Sequence, residues 1–153
     1  MNETTRIESE ESLRKFIYDV DGLHDCLLHE CILLHPGYVN EQSEMWGDAE
    51  LLNAWLLFQS QFPDIGAIEL ILRRVSRFRF EPRKEFRLEG EIQKSEIVLY
   101  PSGKGFAADS EIRSAQAEYR ILGKGFLGQQ WRWMQRDGGD LLRSARIDEP
   151  TSE

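Results

Sequence analysis

The chain has 153 residues, of which 41% are hydrophobic and 30% charged, and it carries a formal charge of −8. That length is ordinary for one domain and buries enough surface to fold without a disulfide or metal staple. The acidic balance disfavours a nucleic-acid partner, whose phosphates are met by Lys and Arg, and the longest apolar run is far too short to span a membrane.

The charge is unevenly placed. Residues 1–50 hold 12 acids and 3 bases, whereas residues 51–100 hold 7 and 8, and residues 101–153 hold 8 of each. An acidic first third suits a basic protein partner. The same charge also serves plain solubility.

Residues 1–8 are polar and are expected to fray. A helix is expected from Ser9, with Glu10 and Glu11 at its positive end. Leu13, Phe16, Ile17 and Val20 form its apolar face, and Asp21-Gly22 should end it. Ser12, standing where a Glu completes a capping box, leaves that box incomplete. The start of the chain has no basic segment followed by an apolar one, so no signal peptide is expected and the expected location is cytoplasmic.

Residues 23–35 fit two patterns. Leu23, Leu27, Cys31 and Leu34 suit a helix. Cys26, Leu28, Ile32 and Leu34 suit one face of a strand, with Glu30 as the exception, and strand is preferred. In a strand, Cys26 and Cys31 point to opposite faces, so both read as free thiols of a reducing compartment.

From there the period is mostly two. Leu51 to Phe58 reads as a strand buried on both sides. Ile68, Leu70 and Leu72 form one stripe, and Ser76, Phe78 and Phe80 another. Phe86, Leu88 and Ile92 continue across Gly90, and Ile97 and Leu99 lead into a turn at residues 100–103. Ala115, Ala117, Tyr119 and Ile121 alternate with Gln116, Glu118 and Arg120. Leu127, Gln129, Trp131 and Trp133 give a last strand, and Leu141 to Arg146 a short helix. Such spacing predicts a mainly β protein, α+β only in its short N-terminal helix, with an antiparallel meander closing into a sandwich or barrel-like sheet. One globular domain is expected over residues 9–147, with a flexible tail at 148–153.

Candidate chemistry is sparse. His24, Cys26, His29, Cys31 and His35 are all the His and Cys of the chain. On a strand, His29 and His35 would lie about 20 Å apart, too far to share one metal. No metal or other cofactor is therefore expected. His24-Asp25 is similar to the metal-binding pair of HD phosphohydrolases, but no upstream His accompanies it. Gly123-x-Gly125-x-x-Gly128 matches a dinucleotide fingerprint in letters only, because a strand rather than a helix is expected to follow it. Gly103-Lys-Gly-Phe106 and Gly123-Lys-Gly-Phe126 read as tight connections. The bases from Arg73 to Arg87 alternate with Phe78 and Phe80 as in a half-buried strand, so a solvated face or one paired within the chain, the acidic first third included, is expected, with an anionic ligand as the alternative. No catalytic residue can be selected, and a non-enzymatic role is expected.

The element order resembles that of small bacterial single-domain β proteins of the toxin-immunity type. Leu23-His24-Asp25 stands where that group opens a strand, and Ile68 through Val75, Phe78 and Phe80 stand where it places a long apolar strand. The resemblance covers residues 10–90. It implies a β architecture and a protein-binding, toxin-neutralising role, with no catalytic residue. The carboxylates expected to meet a basic partner are Asp19, Asp21, Asp25, Glu41 and Glu44. The alternatives are an enzyme or small-ligand barrel using Trp55, Trp131 or the arginine run, and a metal-dependent protein using residues 24–35. Homo-oligomerisation is left open.

Overall fold

The computed structural model describes residues 3–47, 51–62, 64–80, 87–102 and 110–123. The strands expected at Leu127–Trp133, both Gly-Lys-Gly-Phe segments apart from Gly123, the helix at 141–146 and the tail lie outside these residues.

The first element is a strand. Thr5–Ile7 (β1) pairs antiparallel with Ala117–Tyr119, and Ile7 is buried. Fraying at residues 1–8 thus does not extend to this segment, because a free strand side accepts it. Helix α1 follows over Glu10–Asp19. Its capping box is complete after all. Ser12 N–H donates to Ser9 Oγ at 3.2 Å, and Ser9 N–H donates to Ser12 Oγ at 2.8 Å. A serine hydroxyl thus reaches the N-cap backbone in the role usually given to Glu. Asp21–Leu23 forms a single tight turn with three successive positive φ values, of 53°, 61° and 60°. Leu23 is driven into the core by this turn, and its burial offsets left-handed backbone strain of about 1–2 kcal/mol per non-glycine residue.

The remaining strands are β2 (Cys26–Leu34), β3 (Tyr38–Val39), β4 (Met45–Trp46), β5 (Asn53–Ser60), β6 (Ala67–Arg79), β7 (Arg87–Gln93), β8 (Glu96–Ser102) and β9 (Glu111–Ile121). The fold is mainly β and antiparallel, as expected. The large sheet has the order β2-β5-β6-β9-β8-β7, with β1 also on β9. It does not close into a barrel, and it is not a simple meander. After β6 the chain skips to the far end of the sheet and returns through β7 and β8, so that β9 lies beside β6. Strand periodicity assigns faces but not neighbours, which is why the sequence did not show this.

Two bulges shift the pattern of exposed and buried residues. In β2 the register breaks between Leu28 and Glu30. Leu28 therefore shares a face with Phe58, whereas Glu30, Ile32 and Leu34 share the opposite face with Leu57, Trp55 and Asn53. The single stripe expected from Cys26 to Leu34 is split after Leu28, and Glu30 stays the polar member on the face of Ile32 and Leu34. The inserted residue also returns Cys31 to the face of Cys26. In β6 the register breaks between Val75 and Arg77, one residue beyond Arg74, which has φ of 56°. One continuous strand thus carries the two apolar stripes.

The main core lies between α1 and one face of the sheet. It joins Leu13, Phe16 and Val20 to Leu56, Leu70, Leu88, Leu99 and Tyr119. The Phe16 and Tyr119 rings are 4.7 Å apart, tilted by 53°. Gly90 lets the helix approach β7, since a Cβ there would meet Leu99 Cδ2 at 2.9 Å and Leu13 Cδ1 at 3.2 Å. A second cluster of Trp55, Leu57, Ala67 and Leu122 occupies the opposite face. This explains the apolar run of β5 on both sides.

Replacing Phe16 with Ala should destabilise the fold by about 3–5 kcal/mol in urea unfolding, because the surrounding side chains cannot close the gap. Ser9→Ala and Ser12→Ala should each cost about 1 kcal/mol. The double variant should cost clearly less than the sum, since both serines serve one box.

Candidate functional site

The His and Cys residues take separate local partners. His24 Nε2 lies 3.4 Å from an Asp25 carboxylate oxygen, and His29 Nε2 lies 3.8 Å from Glu30. His35 Nδ1 accepts the Gly37 N–H at 2.9 Å. Cys26 is buried and its thiol donates to His24 O at 3.6 Å. Cys31 is exposed. Among the described residues no three His, Cys, Asp or Glu side chains are grouped to hold a metal ion. Burial pushes the Cys26 thiol up, which disfavours the thiolate a nucleophile needs.

The five candidate carboxylates do not form one patch. Asp19 closes α1 and is engaged internally, accepting from Lys15 Nζ at 2.6 Å and from the Tyr119 hydroxyl at 2.9 Å. Asp21 and Asp25 are exposed at the start of β2. Glu41 and Glu44 are exposed beyond its other end, at the tip of the β3–β4 hairpin. Nine strand residues separate the two pairs, a span on the order of 30 Å. The tip is held by Asn40, whose Oδ1 accepts from Gln42 N–H and Glu44 N–H, both at 2.9 Å. That side-chain turn fixes the tip of the hairpin over residues 40–44.

Between these acids several large apolar side chains are exposed, on both faces of β2. Leu27 and Leu33 of β2 are 53% and 49% exposed. On the hairpin, Tyr38, Val39, Met45 and Trp46 are all exposed, Met45 at 81%, and the Tyr38 and Trp46 rings stack at 6.4 Å. Both faces of the hairpin are therefore open. Among the described residues β2 pairs with a strand on one side only, that of β5. Sequence reading missed this strip. The available signal was compositional: from Phe16 to Leu72 there are ten acids and no Lys or Arg.

The arginine run follows the in-and-out pattern, with Phe78 and Phe80 packed on the core and Arg77 and Arg79 exposed. Two of its ion pairs reach the neighbouring strand β9. Arg73 meets Glu118 at 3.4 Å and Arg77 meets Glu111 at 3.3 Å. Strand pairing brings β9 carboxylates within reach before any distant segment. Arg83, Lys84, Trp131 and Trp133 lie outside the described residues. Trp55 is 1% exposed and donates to Glu69 Oε2 at 2.6 Å, while Arg120 holds the other carboxylate oxygen at 2.9 Å. It is a core residue, not part of an open mouth.

An open cleft of about 620 Å³ lies between the end of α1 and β7, lined by Ile17, Tyr18, Asp19, Asp21, Gly22, Arg87, Leu88 and Glu89. Its lining mixes the charged Asp19, Asp21, Arg87 and Glu89 with the apolar Ile17 and Leu88. No helix of the described residues is long and apolar enough to cross a membrane. No family model matches the chain, and neither the curated proteins nor the solved structures include a match.

Thiol reagents should modify Cys31 in the native protein and Cys26 only on unfolding, read by mass spectrometry of digested protein. Tyr119→Phe should cost about 1–2 kcal/mol through loss of the bond to Asp19. Burial, and then Asp19, hold the Tyr119 phenol above its usual value. The folded state therefore keeps that proton longer than the unfolded state. Stability should fall as pH rises above about 10, and less steeply in Tyr119→Phe, by urea unfolding across pH.

Proposed function

We propose that this chain is a non-catalytic protein-binding domain for a basic partner. The observation that carries this reading is the base-free acidic stretch from Phe16 to Leu72, which presents Asp21, Asp25, Glu41 and Glu44 together with exposed apolar side chains. Large exposed apolar residues rimmed by charge are the usual marks of a protein interface. Like-sign carboxylates draw a basic partner by raising its association rate more than its final affinity. The resemblance to toxin-immunity proteins supports the finer reading that the partner is a toxin and that binding neutralises it. Asp19 drops out of the contact set, because its carboxylate is already shared by Lys15 and Tyr119.

The test is surface plasmon resonance against a panel of basic proteins, including bacterial nuclease toxins, at low and high salt. A complex is expected whose association rate falls at least tenfold in the variant Asp21→Asn, Asp25→Asn, Glu41→Gln, Glu44→Gln, with the melting temperature held within a few degrees. A salt-insensitive complex, or none with any basic protein, would rule the reading out. Restored growth of cells co-expressing a toxin would carry the neutralising role.

A further inference from the structure

We propose that the face of the large sheet opposite α1, around Trp55 and Leu57, is a docking site filled by the chain's own residues 124–153. This site goes beyond the proposed binding role and does not depend on it.

Strand pairing fixes which side chains share that face. Ile32, Trp55, Ile71 and Glu118 form one row across β2, β5, β6 and β9, and Leu57, Glu69 and Arg120 form the next. Trp55 and Leu57 are 1% and 0% exposed, and Ala67 and Glu69 are buried with them. Side chains of a sheet stand roughly perpendicular to it, so neighbours in one layer screen one another only from the sides. Full burial needs a second layer on top. On the other face α1 is that layer, through Leu13 and Phe16. Here every hydrophobic member of the cluster, and every one packed against it, comes from β2, β5, β6 or Leu122 just past β9. Among the described residues, then, the cluster has no hydrophobic cover from above.

Chain length and attachment select the occupant. Residues 81–86 and 103–109 are tied at the Arg79 end of β6, whereas Ile71, beside Trp55, is eight residues back, about 25 Å away. A loop of seven residues held at both ends reaches out only about 12 Å. Residues 48–50 span about 10 Å even when extended, which is used in joining Gly47 to Leu51. Residues 124–153 instead begin beside the cluster. Leu122 N–H donates to Ala67 O at 2.8 Å, and Gly123 N–H donates to Ile65 O at 3.0 Å. Gly123 has φ of 81°, a left-handed value that glycine adopts freely and that turns the chain away from the strand direction. The residues beyond it include Leu127, Trp131 and Trp133, within an extended reach of about 33 Å.

The test keeps the full chain. With Trp46→Phe, Trp131→Phe and Trp133→Phe, Trp55 is the one remaining tryptophan, and its fluorescence should resist acrylamide. Trp131→Ser and Trp133→Ser in place of the Phe changes, together with Leu127→Ser, should raise the quenching constant at least threefold with circular dichroism unchanged. Quenching of the Phe set as strong as that of free tryptophan, or equal quenching of both sets, overturns the proposal. A cross-link decides the matter should the Ser set fail to fold. In a Cys26→Ser, Cys31→Ser background, a short bis-maleimide should join Ile71→Cys to Gln130→Cys within one chain. Tyr18→Cys, at a position 85% exposed on α1, should not be joined to Gln130→Cys. A link to Tyr18→Cys alone, or no link to either, overturns the proposal. So do links formed only between chains, since a second copy then covers the face.

Discussion

The long pairing of β6 with β9 is the constraint on which the rest of the molecule depends. It runs from Ile68 opposite Ile121 to Arg79 opposite Glu111. One side of β9 is thereby filled along its whole length. Its other side is shared, with β8 beside residues 112–114 and β1 beside residues 117–119. Left-handed Arg74 lies on β6 where this division occurs, and the register shift follows just beyond it. There Val75 N–H reaches Leu52 O at 2.8 Å, and Arg74 N–H reaches Asn53 Oδ1 at 3.3 Å, so that the start of β5 holds the irregular point in place. Helix α1 links β1 to the tight turn before β2 and reaches β7. Phe16 on Tyr119 and Leu13 beside Gly90 then seal the core.

This arrangement separates the charges of the chain. Carboxylates of β9 answer Arg73 and Arg77 of β6, and Glu69 serves Trp55 and Arg120 inside the sheet. No Lys or Arg stands between Phe16 and Leu72, and four of the five candidates remain at the surface. Strand β2 and the hairpin lie among them. Among the described residues, Arg73, Arg77, Arg113 and Arg120 pair with carboxylates of the sheet, whereas Asp21, Asp25, Glu41 and Glu44 are exposed. Such an asymmetry supports the proposed recognition of a basic surface.

Bulges are the reason that local patterning misjudged β2. A single inserted residue at His29 turns the second half of the strand over, so that Cys26 and Cys31 share a face although five positions apart. Period-two reading assumes unbroken pleat and therefore assigned them to opposite faces. The same assumption split β6 into two stripes. The serine-only capping box was passed over for a related reason: composition favours Glu at that position, but a hydroxyl at suitable geometry closes the same two bonds.

The sequence by itself determined the secondary structure of most described residues. The helical spacing of Leu13, Phe16 and Val20 and the alternation in β5, β6 and β9 are local consequences of side-chain direction, and the antiparallel β class followed from the number of such segments. It also held the charge asymmetry, visible as a stretch without Lys or Arg. Only the tertiary structure decided the strand order, the β9 partners of Arg73 and Arg77, the internal use of Asp19 and the exposure of the β3–β4 hairpin. Each of these depends on which segments meet across long chain separations, and pairing partners are chosen by the sum of register, bulge position and helix packing, which no local window contains.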